Sequence, residues 1–148
     1  MLVGDVLTGG EDYGRSVAEA MKSHNESRWI KGLQPGSAQL ADAYLHSSVF
    51  VLPSHLEQQP ISALEAAACR KPLVLANRPY AKQDFYENAV LTDPDSVDAI
   101  SGAIRKVLDR PDAYRPPIAI LEQCRRHNVG AAYQAIYKSL IRDSARGD

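Results

Sequence analysis

Apolar residues along this chain alternate between two patterns. Short unbroken runs are separated by stretches in which apolar positions recur every third or fourth residue. The unbroken runs are VFVL at 49–52, LVLA at 73–76 and AVL at 89–91, and two shorter apolar clusters interrupted by charged residues, LVGDVL at 2–7 and RWIKG at 28–32, have the same strand character. Compact apolar runs bounded by Gly, Pro or Asn read as strands buried on both faces. Five strands are therefore expected, at 2–7, 28–32, 49–53, 73–77 and 89–92.

The intervening stretches have helical spacing. A helix over about Asp12–Ser23 places Tyr13, Val17, Ala20 and Met21 on one face. Ser37 caps a second helix carrying Leu40, Ala41, Tyr44 and Leu45. Pro60 opens a third, with Leu64, Glu65 and an alanine run. Asp95 or Ser96 caps a fourth, whose buried stripe is Val97, Ile100, Ile104, Val107 and Leu108. A short helix is expected at 82–87. After Arg115-Pro116-Pro117, helices at roughly 117–126 and 129–142 close the chain, the latter with Ala132, Tyr133, Ile136, Tyr137 and Leu140 as a packing face. The tail SARGD is expected to fray.

Strands alternating with helices make an α/β fold, a Rossmann-like, mainly parallel sheet of about five strands flanked by helices. No repeat, low-complexity tract or strong linker divides residues 1–148, so a single domain is expected. Its organising stretch is Ser48–Asn77, a strand–helix–strand unit. Ligands of open α/β sheets sit at the carboxyl ends of the strands. Here that is the polar loop His55–Gln59.

Composition removes several classes. Of 148 residues, 17 are basic and 18 acidic, for a net charge of −1. That balance argues against bulk electrostatic binding to nucleic acid or acidic membrane and leaves room for a local basic pocket. Cys69 and Cys124 make no disulfide framework, and His24, His46, His55 and His127 do not cluster as metal ligands. Cys69 reads as a buried thiol. No apolar run approaches the roughly 18 residues that span a bilayer. Met1-Leu2-Val3 enters a strand with no basic leader, so a cytoplasmic location is expected.

The residues that can carry chemistry lie around that loop. Glu57 follows a buried strand, and Glu65 sits about one turn into the next helix. A carboxylate there can accept two hydroxyls of a sugar diol. The adjoining helix start offers N–H groups and the positive dipole end to a phosphate. Together they suit a nucleotide sugar. By residue type alone, the stronger reading of both glutamates is as surface carboxylates favoured near a helix start. His55 could touch a ligand, and Arg70, Arg78 and Lys82 a pyrophosphate, or all four are solvated. Gly4 and Gly9-Gly10 follow a strand but form no phosphate-loop motif.

At SVFVLPSHLEQQPISALEAAACRKPLVLAN the chain resembles the carboxyl-terminal domain of the group-one family of retaining GT-B glycosyltransferases. The matching marks are Pro53-Ser54, Glu57-x7-Glu65, Glu65-Ala66 and Lys71-Pro72. LVGDVL and RWIKGLQP look like two further family strands. ENAVLTDPDSVDAISGAIRKVL is similar to a family strand and late helix, and YQAIYKSL looks like its closing helix. The resemblance implies transfer of a sugar from a nucleotide diphosphate sugar with retention, calling for no metal and no cofactor. It implies that Glu65 binds the ribose hydroxyls and that Glu57 is the catalytic carboxylate facing the donor sugar. Backbone around Gln58, Gln59, Ile61 and Ser62 would hold sugar and phosphate, and the base would lie near Gly32 and Leu33. It also implies a glycan or lipid-linked acceptor, a role in surface polysaccharide or glycoconjugate synthesis, and membrane association of the full-length enzyme.

Departures from the family pattern qualify these expectations. Gly-Phe-Gly after the first glutamate is replaced by Gln58-Gln59-Pro60, and Pro60 has no N–H to offer. The usual Gly before Lys-Pro is Arg70, which costs about 1 kcal/mol if its backbone is left-handed. A Gly-Gly turn is replaced by Arg78-Pro79-Tyr80. The acceptor domain is absent, and so are the first strand and helix of this domain, with the Arg and Lys that neutralise the diphosphate. The chain is therefore expected to be a fragment with weak or no donor binding and no transfer. Its sheet is expected to close the gap by pairing the 2–7 and 49–53 strands or by a partner chain, as in a homodimer. Two competing expectations are a non-catalytic Rossmann-like nucleotide-binding or assembly module, and a GT-B epimerase.

Overall fold

Strand β4 (Leu73–Ala76) is buried along its whole length, and the larger part of the fold is arranged around it. The computed structural model describes residues 1–6 and 8–144, with backbone alone at 120, 143 and 144. Leu7 and the tail from 145 lie outside the described residues. The chain falls into two compact units, Met1–Ala43 and Tyr44–Asp148.

In the second unit β4 pairs in parallel with β3 (Phe50–Leu52) on one side and β5 (Val90–Thr92) on the other. The register sets Val51, Val74 and Val90 in one row and Leu52, Leu75 and Leu91 in the next. Side chains alternate across a strand, so the two rows face opposite layers. Leu73 and Leu75 pack with Ala63, Ala66 and Ala67 of helix α3 (Ile61–Ala68) and with Tyr80, Ala81 and Tyr86. Val74 packs with Ala103 and Val107 of helix α4 (Val97–Asp109). The alanine run thereby acquires a reason: methyl side chains let α3 lie close to the strands. Single turns of 3₁₀ helix at Pro79–Lys82, Asp84–Tyr86 and Pro111–Tyr114 connect these layers, and helices α5 (Ile118–Gln123) and α6 (Arg126–Ser144) follow.

In the first unit β1 (Leu2–Val3) pairs in parallel with β2 (Trp29–Ile30). Helix α1 (Glu11–Lys22) runs between them in sequence, and Gly14 meets Val6 so closely that a Cβ there would lie 2.6 Å from the valine side chain. Helix α2 (Ala38–His46) starts as expected, with the Ser37 hydroxyl accepting from the Leu40 N–H at 3.2 Å.

All five expected strands are present and all their pairings are parallel. They divide into a two-stranded and a three-stranded sheet rather than one sheet of five. Of the two expected ways of closing the gap, direct pairing of the 2–7 and 49–53 strands is not formed among the described residues. The 2–7 strand is also shorter and more exposed than expected, with Leu2, Val3 and Val6 all on the surface. A two-stranded ribbon has no inner strand, so both of its members are edges.

Two helical faces are corrected, and Ala20 of α1 is exposed rather than part of its face. On α1 the sheltered side is Gly14, Val17, Ala18 and Met21, while Tyr13 is 76% exposed. On α4 it is Ile100, Ala103, Ile104 and Val107, while Val97 and Leu108 are exposed. Both sets follow i, i+3, i+4, i+7, and the misassigned residues sit at the rim of the stripe. Ser96 rather than Asp95 caps α4, accepting from the Ala99 N–H at 3.1 Å. Cys69 is only half-buried, at the end of α3. The largest correction concerns α6. Tyr133, Ile136, Tyr137 and Leu140 are all exposed, so this face is not core.

The left-handed position anticipated at Arg70 is there, with φ 59°. Helix α3 ends in a Schellman arrangement, in which the N–H groups of Arg70 and Lys71 donate to the carbonyls of Ala67 and Ala66 at 2.8 and 3.0 Å. The Arg115 guanidinium donates to the Arg70 carbonyl at 3.0 Å and holds the turn. Since only the backbone of Arg70 is needed, Arg70→Gly is expected to raise the unfolding free energy by about 1 kcal/mol. Urea unfolding of the two proteins checks this, and a destabilised glycine variant would show that the arginine side chain contributes more than its strained backbone costs.

Candidate functional site

The carboxyl ends of β3, β4 and β5 share one edge because the strands are parallel. From β3 the chain runs through 53–59 to Pro60, which is buried and immediately precedes α3. The Pro60 carbonyl accepts from the N–H groups of Ala63 and Leu64, at 3.1 and 3.3 Å. The N–H groups of Ile61 and Ser62, in the first turn, have no acceptor within the helix and point out of its positive end. Gln58, Gln59 and Ile61 are exposed at this position, and Glu57 and Ser62 are half-buried. The proline that could not donate an N–H thus serves as the helix-starting residue, where none is required.

Glu65 lies on α3, half-buried. Its Oε2 accepts from the Tyr44 hydroxyl at 2.9 Å. Burial pushes the Tyr44 phenol up, and the hydrogen bond and charge of Glu65 push it further. The tyrosine therefore remains a donor and fixes the orientation of the carboxylate. Sequence reasoning placed Tyr44 on a helix face but missed this contact, because a partner 21 residues away leaves no periodic signal.

The charge of Glu57 is felt by two phenols. Tyr86 is buried and its phenol is pushed up to about 12, first by burial, with the charges of neighbouring groups including Glu57 adding to it. Tyr80, also buried, is raised mainly by burial, and Glu57 adds to that shift too. At the same edge, Asp95 after β5 lies 3.6 Å from His55 and 3.5 Å from Arg78. All three are substantially exposed, so pairs of this kind are worth about 0–1 kcal/mol. The sequence singled out His55 and Arg78 separately, and folding brings them to one carboxylate.

Gly32 and Leu33 belong to the first unit. Gly32 is left-handed, with φ 71°, and its N–H donates to both carboxylate oxygens of Asp5 at 3.0 and 3.2 Å. Leu33 is half-buried beside it. Trp29 Nε1 donates to the Gly4 carbonyl at 2.8 Å, and the Lys31 ammonium stands 4.0 Å over the indole.

The family model for glycosyl transferases group 1 matches residues 3–120 of the sequence. The chain belongs to this family. Its matched span includes every residue of the site just described. Among solved structures, sucrose-phosphate synthase from Thermosynechococcus elongatus is similar with a TM-score of 0.65 at 24% identity. The match covers 96% of this chain and 38% of that one. At that identity the likeness speaks for the fold, a Rossmann-like α/β arrangement with parallel strands. No curated protein matches the sequence. Among the described residues no helix is long and apolar enough to cross a membrane.

Proposed function

We propose that this chain, residues 1–148, belongs to the donor-binding domain of a retaining glycosyltransferase, which moves a sugar from a nucleotide diphosphate sugar to an acceptor. The observation that carries this reading is Glu65, held by Tyr44 one turn beyond the outward N–H groups of Ile61 and Ser62. An oriented carboxylate suits two ribose hydroxyls, and the helix start suits a phosphate. Glu57 faces the donor sugar, and Gln58 and Gln59 line it. The protein's contribution to transfer is placement and stabilisation of charge on the departing diphosphate. A glycan or lipid-linked acceptor, bound by another domain, and a cytoplasmic location complete the proposal.

The test is a titration of the ¹⁵N-labelled protein with UDP and GDP. Saturable shifts at the amides of Gln58–Glu65 are expected, with millimolar affinity. Glu65→Ala is expected to weaken binding at least about tenfold, the size of a lost hydrogen bond to a charged group. Unchanged affinity in that variant, or no saturable shift in the parent, would overturn the assignment. Gln58-Gln59-Pro60 in place of glycines favours a second reading, a module that binds nucleotide without transferring sugar. That reading keeps the titration result and predicts no turnover even in an enzyme that joins these residues to an acceptor-binding domain.

A further inference from the structure

The loop after β3 is long and outward-facing, and its Leu56 is 88% exposed. Such a loop is the most mobile kind of segment in an α/β fold. It is nonetheless held at three places by side chains from the 3₁₀ turns that follow β4. The Tyr80 hydroxyl donates to the Leu52 carbonyl at 3.1 Å, where the loop leaves the strand. Gln83 Nε2 reaches the Gln58 carbonyl at 3.5 Å, inside the loop, and also donates to the Tyr80 carbonyl at 3.0 Å. The Tyr86 hydroxyl reaches the Pro60 carbonyl at 3.5 Å, where the loop enters α3. The two contacts at 3.5 Å are at the limit of hydrogen bonding, so Tyr80 is the strongest of the three.

We propose that Tyr80, Gln83 and Tyr86 are positioning residues, a row at every third position that pins the loop after β3 through the main-chain carbonyls of Leu52, Gln58 and Pro60. The shape of the loop, and with it the placement of Glu57, is then independent of what the loop's own side chains are. This accounts for a glycine-free Gln58-Gln59-Pro60 loop that still takes a defined path. Both tyrosine rings are buried among Ala63, Ala66 and Leu75, so their hydroxyls are presented from a rigid base. Burial keeps both phenols protonated and therefore able to donate. The consequence for donor binding rests on the function proposed above, and the pinning of the loop does not.

Tyr80→Phe removes one hydroxyl and leaves the ring in the core. In limited chymotrypsin digestion followed by mass spectrometry, cleavage after Leu56 is expected to accelerate about fivefold in this variant, the effect of one hydrogen bond. Cleavage after Tyr133, on α6, serves as the internal reference and is expected to stay unchanged. Tyr80→Phe with Gln83→Ala is expected to go further, and UDP and GDP affinity to fall about threefold to tenfold in step with the loop. Unchanged cleavage after Leu56 overturns the pin. So does equal acceleration at Leu56 and Tyr133, which marks general destabilisation by a merely structural tyrosine. A loop that loosens in a protein binding neither UDP nor GDP overturns the donor-site reading and leaves the pin standing.

Discussion

Leu75→Ala is expected to lower the unfolding free energy by about 3 kcal/mol, within the range for fully buried leucines. Leu75 has no exposed surface and sits in the middle strand of the three-stranded sheet, in register with Leu52 and Leu91. Two features keep the resulting cavity from closing. Hydrogen bonding to both neighbours holds β4 in place, and the facing residues of α3 are Ala63, Ala66 and Ala67, which are too short to fill the space. Val97→Ala, at a position 81% exposed, is the matched control and is expected to stay within about 0.5 kcal/mol of the parent. Urea unfolding reads both, as a shift in midpoint at constant slope. A cost below 1 kcal/mol for Leu75→Ala would mean that α3 does not pack on the sheet as described.

If the proposed function holds, Glu57→Gln is expected to reduce sugar transfer about a hundredfold in an enzyme that joins these residues to an acceptor-binding domain, the scale for removing a charged stabiliser of a transition state. The amide keeps the size of the side chain and removes its charge. Glu57 lies in the loop, half-buried, where its charge is felt by the phenols of Tyr80 and Tyr86. Ground-state affinity for the nucleotide, by contrast, is assigned to Glu65. The two variants are therefore expected to separate. Glu57→Gln should lower kcat with KM within about threefold, and Glu65→Ala should act chiefly on KM. Steady-state kinetics with saturating acceptor distinguishes these patterns. Undiminished kcat for Glu57→Gln would remove the glutamate from the chemistry.

Local signals in the sequence were informative wherever the cause is local. Ser37 and Ser96 cap their helices through their own hydroxyls, within three residues. Arg70 occupies the left-handed position that Lys71-Pro72 marked. The strand runs were found because a parallel strand covered on both faces must be apolar throughout, as β4 is. The apolar face of α6 was equally visible as a pattern, yet its burial was misjudged. Periodicity reports that a helix has an apolar side, but what covers that side is a property of other elements.

For the candidate site the division is the same. By itself the sequence determined the α/β order of elements, the family, and the two glutamates flanking a helix start, because these depend on residue type, spacing and contiguous segments. Only the tertiary structure decided that Tyr44 orients Glu65, that His55 and Arg78 converge on Asp95, and that Tyr80, Gln83 and Tyr86 hold the loop carrying Glu57. It also decided that the five strands form two sheets. The side-chain contacts among these join residues 17 to 40 positions apart in the chain, from Arg78–Asp95 to His55–Asp95. Contacts at such separations are set by how layers pack, and they leave no periodic trace in the sequence.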